Sequence, residues 1–128
     1  MQRVPTLVGT GGHFQGQLYP LEYGKPMIVG RSRMVPVSLR RTEKYRLMND
    51  EQREKDESAQ TVSSKHFQIT MFNLGSIEIK NLSPNGTRLD GKAIDAAIVT
   101  DVATKSHKID FGLDEAFVLE MRAKPEDT

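Results

Sequence analysis

Two short stretches decide the architecture of this chain: residues 63–69 read SSKHFQI and residues 83–91 read SPNGTRLDG. In the first, polar residues lead directly into an apolar alternation, the period-two pattern of a half-buried strand. In the second, Pro in second place and Gly in fourth favour a type I turn. The Asp90-Gly91 pair that follows between longer side chains indicates a tight two-residue hairpin.

The same rhythm of short apolar segments and turn residues runs along most of the chain, which favours an all-β fold. Roughly ten segments have strand length, and such a number with short connections indicates a two-sheet β-sandwich or a barrel. The predicted strands cover residues 4–8, 14–21, 25–30, 35–39, 66–71, 76–80, 97–100, 106–111 and 116–121.

One charged segment, residues 40–61, interrupts this rhythm. Basic residues dominate its first part and acidic residues its second part. Thr42 is predicted to cap a helix that runs to about Ser58, although acidic residues late in a helix oppose its dipole. Two interpretations stay open: a solvated or disordered insertion, or an added recognition or docking element.

Composition limits the classes of function. The net charge of +1 gives no reason to expect a nucleic-acid partner, and the absence of cysteine excludes disulfides and thiolate metal sites. Neither a long apolar run nor a secretory signal pattern occurs. We therefore expect one domain over residues 1–128 without membrane insertion. We place it in the cytoplasm or nucleus, alone or as the cytosolic part of a larger multidomain protein.

Three groups of residues carry the chemistry of a phosphate and peptide receptor. A guanidinium meets phosphate oxygens with fixed charge, short hydroxyls complete the oxygen shell, and a carboxamide bonds a peptide backbone in both senses. Each group is predicted to lie on a loop, where binding residues concentrate. The groups are Gly30-Arg31, Ser63-Ser64-Lys65-His66 and Asn85-Gly86-Thr87.

In their order and spacing these groups resemble the three signature blocks of forkhead-associated (FHA) domains, over roughly residues 6–120. The resemblance implies an FHA/SMAD-like sandwich of about eleven strands that binds threonine-phosphorylated proteins or peptides in signalling or complex assembly. It implies neither enzymatic activity nor a cofactor or metal.

The resemblance also implies roles for single residues. Arg31 and Ser63 would contact the phosphate, and Ser64 or Lys65 the phosphate or the nearby peptide. Asn85 would hold the peptide backbone. Thr87 is also expected to belong to the phosphopeptide-binding set, as the support of that loop, whereas Gly30, His66 and Gly86 would shape the loops.

The chain departs from the family pattern at three places. Pro84 stands where members often carry Thr or Ser, so one possible hydroxyl contact is lost. The Gly-Asp pair usual before the penultimate strand is replaced near Ser106-His107, and the insertion at residues 40–61 is longer than usual.

Two other classes of function are an enzyme and a phosphate-independent interaction domain. An enzyme is disfavoured because Ser63 and His66, three residues apart at a strand start, point to opposite faces, and the three histidines lack metal-ligand spacing. The serious alternative is a phosphate-independent interaction or self-association domain that uses the scaffold or its charged insertion.

Overall fold

The computed structural model describes residues 2–124 and contains two stacked β-sheets. The six-stranded sheet has the order β2-β1-β11-β10-β7-β8, and the five-stranded sheet has the order β4-β3-β5-β6-β9. All strand pairs within these sheets are antiparallel except β3 with β4. The strands are β1 Arg3–Gly11, β2 Leu18–Pro20, β3 Met27–Gly30, β4 Val37–Ser38, β5 Phe67–Asn73, β6 Ser76–Asn81, β7 Thr87–Leu89, β8 Lys92–Ile94, β9 Ala96–Val99, β10 His107–Phe111 and β11 Glu115–Ala123. The predicted all-β sandwich is confirmed.

The core lies between the sheets, where alternate residues of each strand meet. Burial of apolar side chains is the main favourable term for such a fold. Four phenylalanines form its centre and lie edge-on, tilted or stacked at ring-centroid distances of 4.9–6.5 Å. They are Phe14, Phe67, Phe111 and Phe117, each at most 1% exposed.

The predicted strand over residues 14–21 is wrong in its first half. Gly12–Phe14 forms a 3-10 turn instead, and only Leu18–Pro20 is a strand. The loop that contains this turn is closed by the Gly16 N–H, which donates to the Gly9 carbonyl at 3.0 Å, with Gly16 at a φ of +86°. Burial of Phe14 among the core phenylalanines outweighs the local alternation that suggested a strand.

The predicted strand over residues 35–39 is also shorter than expected. Only Val37–Ser38 pairs, alongside β3, and a 3-10 turn at Leu39–Arg41 follows.

The insertion is folded, but as three short helices rather than one. They are α1 Glu43–Arg46, α2 Asp50–Glu54 and α3 Glu57–Thr61. Thr42 caps α1 as predicted, but Asn49 forms a capping box with Gln52 and Asp56 accepts from the Ala59 N–H. Capping residues have non-helical backbone angles, so each new cap ends the preceding helix.

This division removes the dipole conflict expected for a single helix. Acidic residues stand in the first turns of α2 and α3, and basic residues in the last turn of α1, where each favours its helix. The insertion packs on the sandwich because its Tyr45 and Ala59 belong to the hydrophobic core, as does Val62, which directly follows it.

The two ends of the sandwich differ. The residues before β5, the β6–β7 turn, the β10–β11 hairpin and the insertion gather at one end, which we call the loop end. At the opposite end, Arg3 pairs with Ala123 across the central strands β1 and β11.

Candidate functional site

The loop after β3 is fastened to the segment before β5 at the loop end. The Arg31 N–H donates to the Ser63 carbonyl at 2.9 Å, and the Ser32 N–H donates to the Ser64 carbonyl at 3.3 Å. A Cβ on Gly30 would lie 2.1 Å from the Ser64 carbonyl oxygen. Only glycine therefore allows this approach, which places the backbone of Arg31 beside the residue 63–65 segment.

His66 joins the segment before β5, the second loop, to the β6–β7 turn at residues 83–86, the third loop. Its ring is fully buried; Nδ1 accepts the Ser63 N–H at 3.1 Å, and Nε2 lies 2.8 Å from the Gly86 carbonyl. Because Nδ1 accepts, the ring is neutral and carries its proton on Nε2, which donates to Gly86. Burial lowers the pKa of His66, an effect that the Gly86 bond only partly offsets.

The hydroxyls of Ser63 and Ser83 form a second link between the segment before β5 and the β6–β7 turn. The Ser63 and Ser83 Oγ atoms are 2.6 Å apart, and Ser83 Oγ also accepts the Asn85 N–H at 3.0 Å. When Ser83 donates its single proton to Ser63 Oγ, the Ser63 proton is available to a ligand oxygen. Ser83 is 4% exposed and Ser63 is partly exposed, so the buried hydroxyl orients the accessible one.

The third loop is the predicted turn at residues 83–86. The Gly86 N–H donates to the Ser83 carbonyl at 3.1 Å, and Gly86 has a φ of +85°. Asn85 is exposed, and its Nδ2 donates to the Thr61 carbonyl at 2.9 Å, at the end of α3. One N–H and the carboxamide oxygen of Asn85 have no hydrogen-bond partner among residues 2–124, and these groups suit a peptide backbone.

Three other residues that the sequence singled out differ in accessibility. Ser64 and Lys65 are exposed beside the loop. Thr87 is only 1% exposed, and its hydroxyl donates to Asn81 Oδ1 at 2.9 Å. In this arrangement Thr87 supports the turn and does not present its hydroxyl to a ligand.

The loops after β3 and before β5 carry basic side chains. Arg31 is half-buried, and in the described part of the chain no carboxylate pairs with its guanidinium. Arg33 and Lys65 nearby are exposed. A guanidinium, a hydroxyl and a carboxamide on three connected loops can bind a phosphate next to an extended peptide.

Comparison with solved structures shows many domains with this architecture. An FHA domain of an Arabidopsis thaliana hypothetical protein is 22% identical, with 99% of this chain and 92% of that chain covered and a TM-score of 0.67. The FHA domain of the CT664 protein from Chlamydia trachomatis is 22% identical, with 93% and 97% covered and a TM-score of 0.66.

A third neighbour is the N-terminal FHA domain of Rad53p from S. cerevisiae in complex with a phosphothreonine peptide. It is 18% identical, with 93% of this chain and 94% of that chain covered and a TM-score of 0.62. The chain has the FHA fold. No protein-family model matches it, and no curated protein matches it.

Within this FHA fold, the serine and histidine of the 63–66 segment do not form a catalytic pair. His66 contacts the backbone N–H of Ser63, whereas the Ser63 hydroxyl contacts Ser83. Across residues 2–124, no group of three His, Asp or Glu side chains is arranged to hold a metal ion. No helix in that range has the length and apolar character needed to cross a membrane.

Sequence reasoning missed several residues that hold the loops of this FHA fold together. Asn81 and Ser83 belong to the local sequence NLSPNGT, and their hydrogen bonds two residues onward are typical of such polar turn residues. The sequence carries no local signal for the bond of Thr61 to Asn85 or for the bonds of His13 to its two carboxylates, because these partners lie 24 or more residues away.

Proposed function

We propose that this protein is a phosphothreonine-dependent peptide-binding module. The observation that carries the proposal is the convergence of Arg31, Ser63 and Asn85 on three loops that are hydrogen-bonded to one another. Loops fixed in this way require little ordering on binding, which lowers the entropic cost of association. The partner is a threonine-phosphorylated protein or peptide.

Each residue has a separate role in the proposed complex. Arg31 supplies a permanent positive charge and paired N–H donors to the phosphate. Ser63, with Ser64 or Lys65 beside it, completes the oxygen shell. Asn85 bonds the peptide backbone next to the phosphothreonine, so recognition needs both the modification and an extended chain.

Two further observations support the proposal. The fold is shared with a domain solved in complex with a phosphothreonine peptide. The loop end also leaves the Arg31 charge unneutralised by any carboxylate of the described residues, and a doubly charged phosphate is the ligand that such a charge favours.

The proposal is tested by binding to a degenerate peptide library in phosphothreonine, phosphoserine and unmodified forms. We expect the strongest capture for phosphothreonine peptides, weaker capture for phosphoserine peptides and none for unmodified ones, and we expect the loss of this capture in Arg31→Ala with an unchanged melting temperature. Arg33→Ala is the matched control, since Arg33 lies exposed on the same loop. Burial of the threonine methyl is worth about 0.8 kcal/mol, which corresponds to a preference of roughly fourfold over phosphoserine.

A folded protein that captures no peptide in a phosphate-dependent manner contradicts the proposal. Binding that persists unchanged in Arg31→Ala contradicts the assignment of the site. In either case the phosphate-independent interaction domain becomes the better hypothesis, and the charged insertion becomes the next surface to alter.

A further inference from the structure

A buried histidine fastens the helical insertion to the sandwich. His13 lies in the 3-10 turn after β1 and is 3% exposed. Its Nδ1 is 3.0 Å from Glu115 Oε2 at the start of β11, and its Nε2 is 2.6 Å from Asp56 Oδ2. Asp56 is the N-cap of α3. The ring therefore bridges the six-stranded sheet and the last helix of the insertion.

Both ring contacts are made to carboxylate oxygens, and this geometry suits the imidazolium. A neutral imidazole carries one N–H and donates one hydrogen bond, whereas the imidazolium donates two. Burial lowers the pKa of His13, but the hydrogen bonds and charges of Glu115 and Asp56 outweigh it, so the net effect raises the pKa above its ordinary value.

Charged and polar groups from every neighbouring element face this ring. Ser58 Oγ, on α3, contacts both Glu115 Oε2 and Asp114. From α1, the Tyr45 ring lies 6.0 Å away, and Arg53 of α2 stacks over that tyrosine at 4.9 Å. A groove of about 430 Å³ beside the ring is lined in addition by Glu43 and Lys44. The carboxylates in hydrogen-bond contact with the ring belong to Asp56 and Glu115.

The other end of α3 reaches the candidate site. The Thr61 carbonyl accepts the Asn85 Nδ2–H at 2.9 Å, and Thr61 Oγ1 accepts the Leu113 N–H at 2.7 Å. The buried Val62 follows, and Ser63 comes next in the chain. Helix α3 thus spans from the histidine at its first turn to the carboxamide of Asn85 at its last.

We propose that His13 is a positioning residue for the phosphopeptide site. The imidazolium holds α3 against the sandwich, and the last turn of α3 fixes the Asn85 side chain in its binding orientation. This inference rests on the proposed function for its consequence in binding, while the coupling between His13 and Asn85 is a property of the free protein. Loss of the His13 proton removes one of the two carboxylate bonds and loosens α3, so peptide affinity falls as the pH rises.

The direction of the pH effect follows from linkage. A group whose pKa is raised in the folded state stabilises it fully below the unfolded value near 6.5, and this contribution disappears as the pH rises through the folded-state pKa. Titration from about pH 6.5 to about pH 9 keeps the peptide phosphate mostly doubly charged, because its second pKa is about 6. A loss of affinity in that range does not come from the phosphate.

The first experiment follows the free protein by NMR over this pH range. We expect the Asn85 side-chain amide and the α3 backbone amides to shift with the same midpoint as the His13 ring. His107 is an internal control in the same sample, because it also lies between two carboxylates, Asp90 and Asp101, each at 2.6 Å. It stands at the end of β10 away from the candidate site, so its titration should leave the Asn85 amide unchanged.

The second experiment measures binding of a phosphothreonine peptide selected from the library across the same pH range. We expect affinity to fall by about three- to tenfold as His13 loses its proton, the loss typical of one hydrogen bond. Asp56→Asn keeps a good N-cap for α3 but removes the charge that faces His13. It should bind more weakly at pH 6.5 and show a smaller pH dependence, whereas His107→Gln should retain the wild-type profile.

The two proposals fail in different ways. The role of His13 is overturned, even when peptides bind, by either of two results. The Asn85 amide signal does not shift as His13 titrates, or the Asp56→Asn protein keeps the wild-type pH profile of peptide affinity. Absence of phosphopeptide binding at every pH overturns the proposed function, and with it the effect of His13 on affinity. The NMR titration still decides the coupling of His13 to Asn85.

Discussion

The hydroxyl oxygens of Ser63 and Ser83 lie 2.6 Å apart, although twenty residues separate them in the chain. This bond connects the proposed phosphate contact to the Pro-Asn-Gly turn. Ser83 also accepts the backbone N–H of Asn85, so one buried hydroxyl positions two of the proposed ligand-binding residues.

Replacing Ser83 should therefore weaken binding without removing a ligand contact. In Ser83→Ala the Asn85 N–H and the Ser63 hydroxyl both lose a partner, and we expect a loss of about 1–2 kcal/mol in the free energy of unfolding. Peptide affinity should fall several-fold, as measured by titration calorimetry. Ser76→Ala, in the β5–β6 hairpin at the opposite end of the sandwich, is the control and should change stability by less than about 0.5 kcal/mol. Wild-type affinity in Ser83→Ala would remove Ser83 from the site.

The pKa of His66 should lie below the ordinary histidine value, and the pKa values of His13 and His107 should lie above it. Burial lowers the pKa of His66, whereas carboxylate partners raise the pKa of His13 and His107 against their burial. We expect ring-nitrogen NMR to show His66 neutral, with its proton on Nε2, at pH 6.5.

The stability effect of His66 has the opposite sign to that of His13. Its contribution is complete above the unfolded pKa near 6.5 and is lost as the pH falls through the folded-state pKa. Protonation also removes the acceptor of the Ser63 N–H, so acid should weaken the loop connection. Observation of His66 as an imidazolium at pH 6.5 would contradict the assigned hydrogen bonds.

Gly30→Ala should push the loop after β3 away from the segment before β5. Its Cβ would meet a backbone oxygen at 2.1 Å, and a backbone atom cannot swing aside as a flexible side chain can. We expect a loss of about 1–3 kcal/mol in the free energy of unfolding, the usual cost of overpacking, together with weaker peptide binding. Gly75→Ala is the matched control, because its nearest contact is the Asn73 side chain at 3.4 Å. Equal melting temperatures for the two variants would refute the argument.

Thr87→Val separates support of the turn from contact with the peptide. Valine keeps the buried shape and removes only the hydroxyl that donates to Asn81. We expect a stability loss of about 1 kcal/mol and a change in peptide affinity of less than about threefold, in contrast to Arg31→Ala. A loss of binding as large as that of Arg31→Ala, in a protein of near-normal stability, would show that the Thr87 hydroxyl contacts the ligand.

Local chemistry made the turns predictable from the sequence. The Asp90-Gly91 hairpin forms as expected, with Leu89 opposite Lys92 and both central residues at positive φ, 51° and 84°. The mutual approach of the Arg31, Ser63 and Asn85 loops followed from the family resemblance, and the roles of these residues in binding stay predictions.

The misses have physical causes that a local pattern does not contain. The alternation over residues 14–21 was read as a strand, but the core needed Phe14 on a turn. A single helix over residues 42–58 does not form because the capping side chains of Asn49 and Asp56 compete with helix continuation. The bond between His13 and Glu115 joins residues 102 positions apart, and the residues next to either of them give no indication of it.

The pairing of Arg3 with Ala123 has a mechanical consequence. Both strands of this pair are central in the six-stranded sheet, and both leave it at the end opposite the loops. The hydrogen bonds of an antiparallel pair run perpendicular to the strands. A force applied through the two ends would load these bonds one after another and peel β1 from β11, instead of shearing all of them together. Pulling on these two strands should therefore open the sheet at a lower force than shearing the same strand pair would need.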